Sequence, residues 1–210
     1  MADLPKAIIC DLDGSLALIG PRNPYDAAKC EVDTLNWPVA ATVHALRNAG
    51  YRVIFMSGRK ECDRKPTVDW IRKNMLSGVC GWVECVDYEL FMRETDDNRP
   101  DNVVKVELFE KYVKPRYDVL LTLDDRKKVV RAWRDALGLV CLQVNDGPLE
   151  KTDCIHCGGS GTSKALVGDE QEAALALCDL VGKPSWEPHL REAEYAIKSI
   201  IKAVSKGRAR

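Results

Sequence analysis

Three apolar runs in this 210-residue chain each stop abruptly at a polar residue, and that pattern leaves few folds open. Ala7-Ile8-Ile9-Cys10 ends at Asp11, Arg52-Val53-Ile54-Phe55-Met56 at Ser57, and Asp118-Val119-Leu120-Leu121-Thr122-Leu123 at Asp124. Runs this short and apolar suit buried strands. Residues 82–86 read as a further strand and residues 139–144 as the last. Helix-like stretches fall between them, over residues 38–49, 67–76, 103–112 and 126–137, two of them stopped by Gly50 and Gly138. The alternation predicts an α/β fold: an open, parallel, five-stranded Rossmann-like sheet with helices on both faces and a C-terminal helical appendage. Ligands of such sheets bind outside the carboxyl ends of the strands. Asp11, Ser57 and Asp124, distant in sequence, are therefore expected along one edge.

Asp11-Leu12-Asp13-Gly14-Ser15 carries the sharpest chemical signal. A carboxylate that attacks an anionic phosphate needs its charge neutralised, which calls for a metal. Asp11 can serve as nucleophile, splitting the transfer into two steps through a covalent intermediate. Asp13 lies two residues beyond, placed to protonate a departing oxygen and then activate water. Asp-Gly pairs are also common in plain turns, so the string alone leaves that reading open. Asp124-Asp125 supplies a second acidic pair at another strand end. Carboxylates crowded on one edge repel unless a cation sits among them, and Mg2+ suits oxygen ligands and substrate phosphates.

These residues resemble the haloacid dehalogenase-type phosphatases, and more narrowly the 3′-phosphatase domain of phage-type polynucleotide kinase-phosphatases. Asp11-Leu12-Asp13-Gly14-Ser15, Ser57, Lys105 and Asp124-Asp125 match that family's motifs in order. The flanks match too: Gly20-Pro21-Arg22-Asn23-Pro24-Tyr25-Asp26, Lys29-Cys30, Asp33, Asn36, Ser57-Gly58-Arg59, Asn102-Val103-Val104-Lys105 and Trp133-Arg134. The resemblance implies Asp11 as nucleophile and metal ligand, Asp13 as general acid/base beside the metal, and Asp124 completing a Mg2+ site supported by Asp125. It also implies that Ser57 and Lys105 bind phosphoryl oxygens and that Arg22 and Arg59 grip the substrate phosphate. In isolation Ser57 reads as a helix cap and the three basic residues as surface charges; their positions in the matched motifs reverse that. Ser15 stands where the family more often has Thr. Gly158-Gly159-Ser160-Gly161-Thr162-Ser163-Lys164 lacks the Gly-Lys-Ser/Thr ending of a phosphate-binding loop, so no 5′-kinase activity is expected.

On this reading residues 1–147 form the phosphatase domain with a minimal cap, 148–164 a Cys/Gly-rich loop and 165–210 a helical extension. Cys154 and Cys157 have the C-x-x-C spacing of a Zn2+ half-site, but a structural zinc site needs four ligands, and an idle glycine-rich loop reads equally well. The extension's apolar stripe, Leu190 to Val204, would cover the core or form a homodimer. Tyr25, Trp37 and Arg93 either stack on and clasp a terminal nucleotide or pack internally.

A formal net charge of −1 excludes an overall basic field for nucleic acid. The start of the chain lacks a signal-peptide pattern and no stretch is long enough to span a membrane. Nine cysteines, an odd and scattered set, point to a reducing, cytoplasmic setting. The expected partners are 3′ ends of DNA or RNA, no membrane, and a separate kinase or ligase. The competing expectations are a phosphatase of small phosphomonoesters such as nucleotides, and a non-catalytic nucleic-acid end-binding module.

Overall fold

The computed structural model describes residues 4–77 and 80–144. The Cys154/Cys157 pair, the cysteine-rich loop and the helical extension lie outside the described residues.

Strand β1 (Lys6–Cys10) alternates its side chains between two cores, as a strand's period of two requires. Ile8 and Cys10 enter one core, while Ala7 and Ile9 enter the other. A two-residue ribbon follows, β2 (Ala17–Leu18) paired antiparallel with β3 (Thr34–Leu35), and between them a 3-10 turn covers Ala27–Val32. Helix α1 (Trp37–Asn48) begins with Pro38 in its first turn, where the missing N–H costs nothing. Val39, Val43 and Leu46 recur at helical spacing and are buried. Gly50 ends this segment at φ +93°, a conformation only glycine adopts freely.

Strand β4 (Arg52–Lys60) leads to α2 (Arg64–Asn74), a small ribbon of β5 (Leu76–Ser77) and β6 (Cys80–Gly81), then β7 (Tyr88–Arg93). Helix α3 (Asp101–Leu108) continues through a π-helical turn, Phe109–Val113, before β8 (Asp118–Asp124). Helix α4 (Lys127–Arg131) continues likewise through a π turn, Ala132–Ala136, and β9 (Cys141–Gln143) closes the sheet. The sheet runs β7-β4-β1-β8-β9, and every pairing in it is parallel. Residues of α1 and α2 pack with Phe55 and Leu121 on one face. On the other face Phe109, Val113, Val129, Val130 and Trp133 pack with Ile54 and Met56. Burial of each such large apolar side chain contributes about 1.5–3 kcal/mol.

Two strand expectations change. Residues 82–86 do not form the third strand of the sheet; Tyr88–Arg93 does. Trp82 is fully buried, with its ring 4.7 Å from His44. Its neighbours Val83 and Val86 are exposed, and Cys85 turns the chain at φ +67°. The apolar content of that run therefore supplies one core anchor and a turn. The second strand is also longer than expected, so Ser57, Gly58 and Arg59 lie within it; Ser57 pairs with Met92, and the register against β7 shifts between Ser57 and Lys60.

Candidate active site

Strand order reverses at β1, which has β4 on one side and β8 on the other, and this reversal is where open α/β sheets leave a crevice. Register sets the rest. Cys10 lies opposite Leu123, so Asp11 and Asp124 emerge side by side, and the Asp11 N–H donates to the Leu123 carbonyl at 2.9 Å. Lys105 reaches them from α3, on the far side of the sheet from α1. Its Nζ donates to Asp11 Oδ1 at 2.6 Å and to Asp124 Oδ2 at 2.8 Å, and the residue is 1% exposed. Burial alone would lower the Lys105 pKa, but the two carboxylates outweigh it and raise it, so the ammonium stays charged. Burial in turn pushes the Asp11 carboxyl well above the usual range, against the pull of Lys105.

Oxygens of Asp11, Asp124 and Asp125 lie within 4.8 Å of one another, all three residues buried. One ammonium balances three carboxylates only in part. Asp125, pushed up to about 6 by burial and then by Asp124, has its Oδ1 buried with no hydrogen-bond partner. A buried acceptor without a donor is costly, and a divalent cation with oxygen preference would satisfy it. The donor set therefore fits Mg2+. Gly14, at φ +84°, lies so close to Asp125 Oδ2 that a Cβ would collide with it. Trp133, on the π turn after α4, donates its Nε1 to Asp124 Oδ2 at 3.3 Å, and Ser15 Oγ donates to Asp11 Oδ2 at 3.2 Å.

Asp13 stands apart from those three. Its carboxylate accepts from Arg59 Nε and Nη2, both at 2.8 Å, and from Arg22 Nη2 at 2.7 Å. Of the four acidic side chains expected around one ion, the structure brings three together, and it places the side chain of Asp13 in an arginine clamp. Burial pushes the Asp13 pKa up, but Arg59 and then Arg22 outweigh this and hold it below the usual range. The clamp has a second acid, Asp33. It accepts from Gly20 N at 3.0 Å, Arg22 Nε at 2.8 Å, Arg22 Nη2 at 2.6 Å and Arg59 Nη2 at 3.2 Å. Trp70 of α2 holds the Asp33 carbonyl at 3.0 Å, and Thr67 of the same helix accepts from Arg59 Nη1 at 3.3 Å. Ser57, fully buried, accepts the Arg59 N–H at 3.2 Å.

Asp33 and Trp133 belong to the matching flanks, which by themselves give neither residue a role. A lone acid in a polar loop gives no sign in sequence that both its oxygens will be spent on arginines. Asp101 gives no such sign either. It bridges Arg93 and Arg126 and approaches Gly58, where a Cβ would come within 2.7 Å of its Oδ1. Arg93 therefore packs internally: it is buried and also donates to the carbonyls of Asp97 and Arg99. Tyr25, by contrast, is 90% exposed.

Acids gathered beside a buried lysine at the reversal point of such a sheet are the arrangement of the haloacid dehalogenase-type phosphatases. Residues 5–149 match the polynucleotide kinase PNKP phosphatase domain, and the chain belongs to this family of phosphatases. It is 38% identical over 133 residues to a protein of Autographa californica nuclear polyhedrosis virus named "Putative bifunctional polynucleotide kinase/RNA ligase", spanning 62% of this chain and 18% of that one. A chain in the structure of a Pnkp1/Rnl/Hen1 complex matches with 44% identity and a TM-score of 0.60 over 68% of this chain and 46% of its own. A chain in the structure of the Pnkp1/Rnl/Hen1 RNA repair complex gives 44% identity and a TM-score of 0.62, over 70% and 44%. The chain thus spans less than half the length of each of these relatives. Among the described residues no helix is long and apolar enough to cross a membrane.

Proposed function

We propose that this chain hydrolyses terminal 3′-phosphates of polynucleotides through an aspartyl-phosphate on Asp11. The observation that carries the proposal is the placement of Asp11 at the sheet's reversal point, 2.6 Å from a buried lysine and beside two further carboxylates. Its family and the names of its relatives, which include an RNA ligase fusion and an RNA repair complex, favour nucleic-acid ends, with RNA first. The same names favour a kinase or ligase as working partner.

In the first step an Asp11 oxygen bonds to phosphorus as the bond to the 3′ oxygen breaks, and Asp13 gives its proton to that oxygen. In the second step Asp13 takes a proton from water, the water oxygen bonds to phosphorus, and inorganic phosphate leaves Asp11. Asp11, Asp124 and Asp125 would hold Mg2+, which when bound supplies positive charge to the phosphate oxygens. Lys105 holds the orientation of Asp11 and adds fixed charge on its inner side. Clamped by Arg59 and Arg22, Asp13 is ionised, the form the second step uses. Its acid form requires those arginines to turn to the incoming phosphate, a ligand suited to their forked donors.

The test is phosphate release by the full chain from 3′-phosphorylated RNA and DNA oligonucleotides, with mononucleotides alongside, with and without Mg2+. Release from oligonucleotides that needs Mg2+ and vanishes in Asp11→Asn is expected. Equal or faster turnover of mononucleotides would overturn the polynucleotide assignment, and an active Asp11→Asn would overturn the nucleophile.

A further inference from the structure

We infer that Tyr25 is the platform on which the base of the terminal nucleotide stacks, an inference that rests on the polynucleotide reading above. The ring is 90% exposed, so it contributes almost nothing to the core. The loop that carries it is nevertheless fixed. Asn23 Oδ1 accepts the Tyr25 N–H at 3.0 Å, and the Asn23 carbonyl accepts the Asp26 N–H at 2.9 Å. Arg22 Nη1 donates to the carbonyls of Asn23 at 3.2 Å and Pro24 at 3.1 Å. Pro24, immediately before the tyrosine, restricts the backbone further.

The same guanidinium that fastens this loop reaches the catalytic clamp with its other arm, 2.7 Å from Asp13 and 2.6 Å from Asp33. One guanidinium thus ties the backbone just before Tyr25 to the carboxylate that handles the leaving oxygen. In a 3′-phosphorylated end the leaving oxygen belongs to the terminal sugar, and the base hangs from that sugar. A nucleotide seated with its phosphate at Asp11 extends its base away from the clamp, and the segment fastened to that clamp carries Tyr25. An unpacked aromatic face there offers stacking to any base, because every base has a π face. The subsite is therefore tolerant of base identity and sensitive to base loss.

The experiment compares a 3′-phosphorylated oligonucleotide with its counterpart abasic at the terminal position, using the full chain with Mg2+. Wild type, Tyr25→Ala and Tyr25→Trp are measured on both. For the wild type, loss of the base is expected to raise KM by about 5- to 150-fold, the range that base–aromatic stacking supplies. Tyr25→Ala is expected to show that higher KM on the intact substrate and no further rise on the abasic one. Tyr25→Trp is expected to restore the difference. A wild type that turns over both oligonucleotides with equal KM overturns the subsite alone, as do losses from Tyr25→Ala and base removal that simply multiply. No phosphate release from either oligonucleotide overturns the functional reading and the subsite together.

Discussion

Replacing Asp33 by asparagine isolates the part of the site that holds the arginines. The side chain is fully enclosed, and its two oxygens face different donors. Oδ1 accepts from Gly20 N and Arg22 Nε, and an amide oxygen keeps both bonds. Oδ2 accepts from Arg22 Nη2 and Arg59 Nη2, and an amide NH2 placed there confronts two donors with a third. The clamp of two arginines and two aspartates is neutral; in Asp33→Asn it carries one uncompensated positive charge. Removing one partner of a buried ion pair costs about 3–5 kcal/mol. At roughly 2–4 °C per kcal/mol for a chain of this size, the melting temperature should fall by about 6–20 °C. Thermal melts followed by circular dichroism measure this directly, at low and high salt, since an enclosed pair is only weakly screened. Turnover of a 3′-phosphorylated oligonucleotide should show a raised KM, because Arg22 and Arg59 lose the acid that orients them. A variant that melts with the wild type would refute the reasoning, and so would strict additivity of Arg22→Met and Asp33→Leu where contacting residues should couple.

Lys105→Met leaves Asp11, Asp124 and Asp125 without their fixed cation, at a cost of about 3–5 kcal/mol. Melts should then show a larger gain from added Mg2+ than the wild type does, with turnover lost; an equal gain in both proteins would count against the shared site. Gly14→Ala forces a side chain into a left-handed backbone, about 1–2 kcal/mol, and drives Asp125 aside. It should melt slightly lower and lose Mg2+-dependent activity, whereas retained activity would mean that Asp125 is dispensable. His44, half-buried against Trp82, has its pKa lowered from 6.5 by burial and then by Arg47. The unfolded chain takes up that proton first, so stability is intact above pH 6.5 and falls as pH drops below it. His44→Gln should flatten this slope in acid melts; an unchanged slope would place its cause elsewhere.

Much of the fold was legible because strand runs and helix stops are local. Ala7-Ile8-Ile9-Cys10 and the run from Asp118 to Leu123 are apolar and end at acids, and the sheet needs no more than that to form there. Residues 82–86 misled because a tryptophan among valines satisfies a strand pattern, while the chain uses Trp82 as a plug under α1 and turns at Cys85. Tyr88–Arg93 won the edge of the sheet through its pairing with β4, a long-range contact that no local pattern records.

What the sequence determined by itself was the class of chemistry: paired carboxylates at strand ends, a lysine between them, and the alternation that brings strand ends together. Which acid meets which partner was decided in three dimensions. Register set Asp11 beside Asp124, and Asp125 completed their trio, while Asp13, only two residues from Asp11, turned away to Arg22 and Arg59. Successive residues leaving a strand point in different directions, and charge then pairs them with whatever distant partner the packing supplies. Asp33 and Asp101 became the anchors of four arginines for that reason.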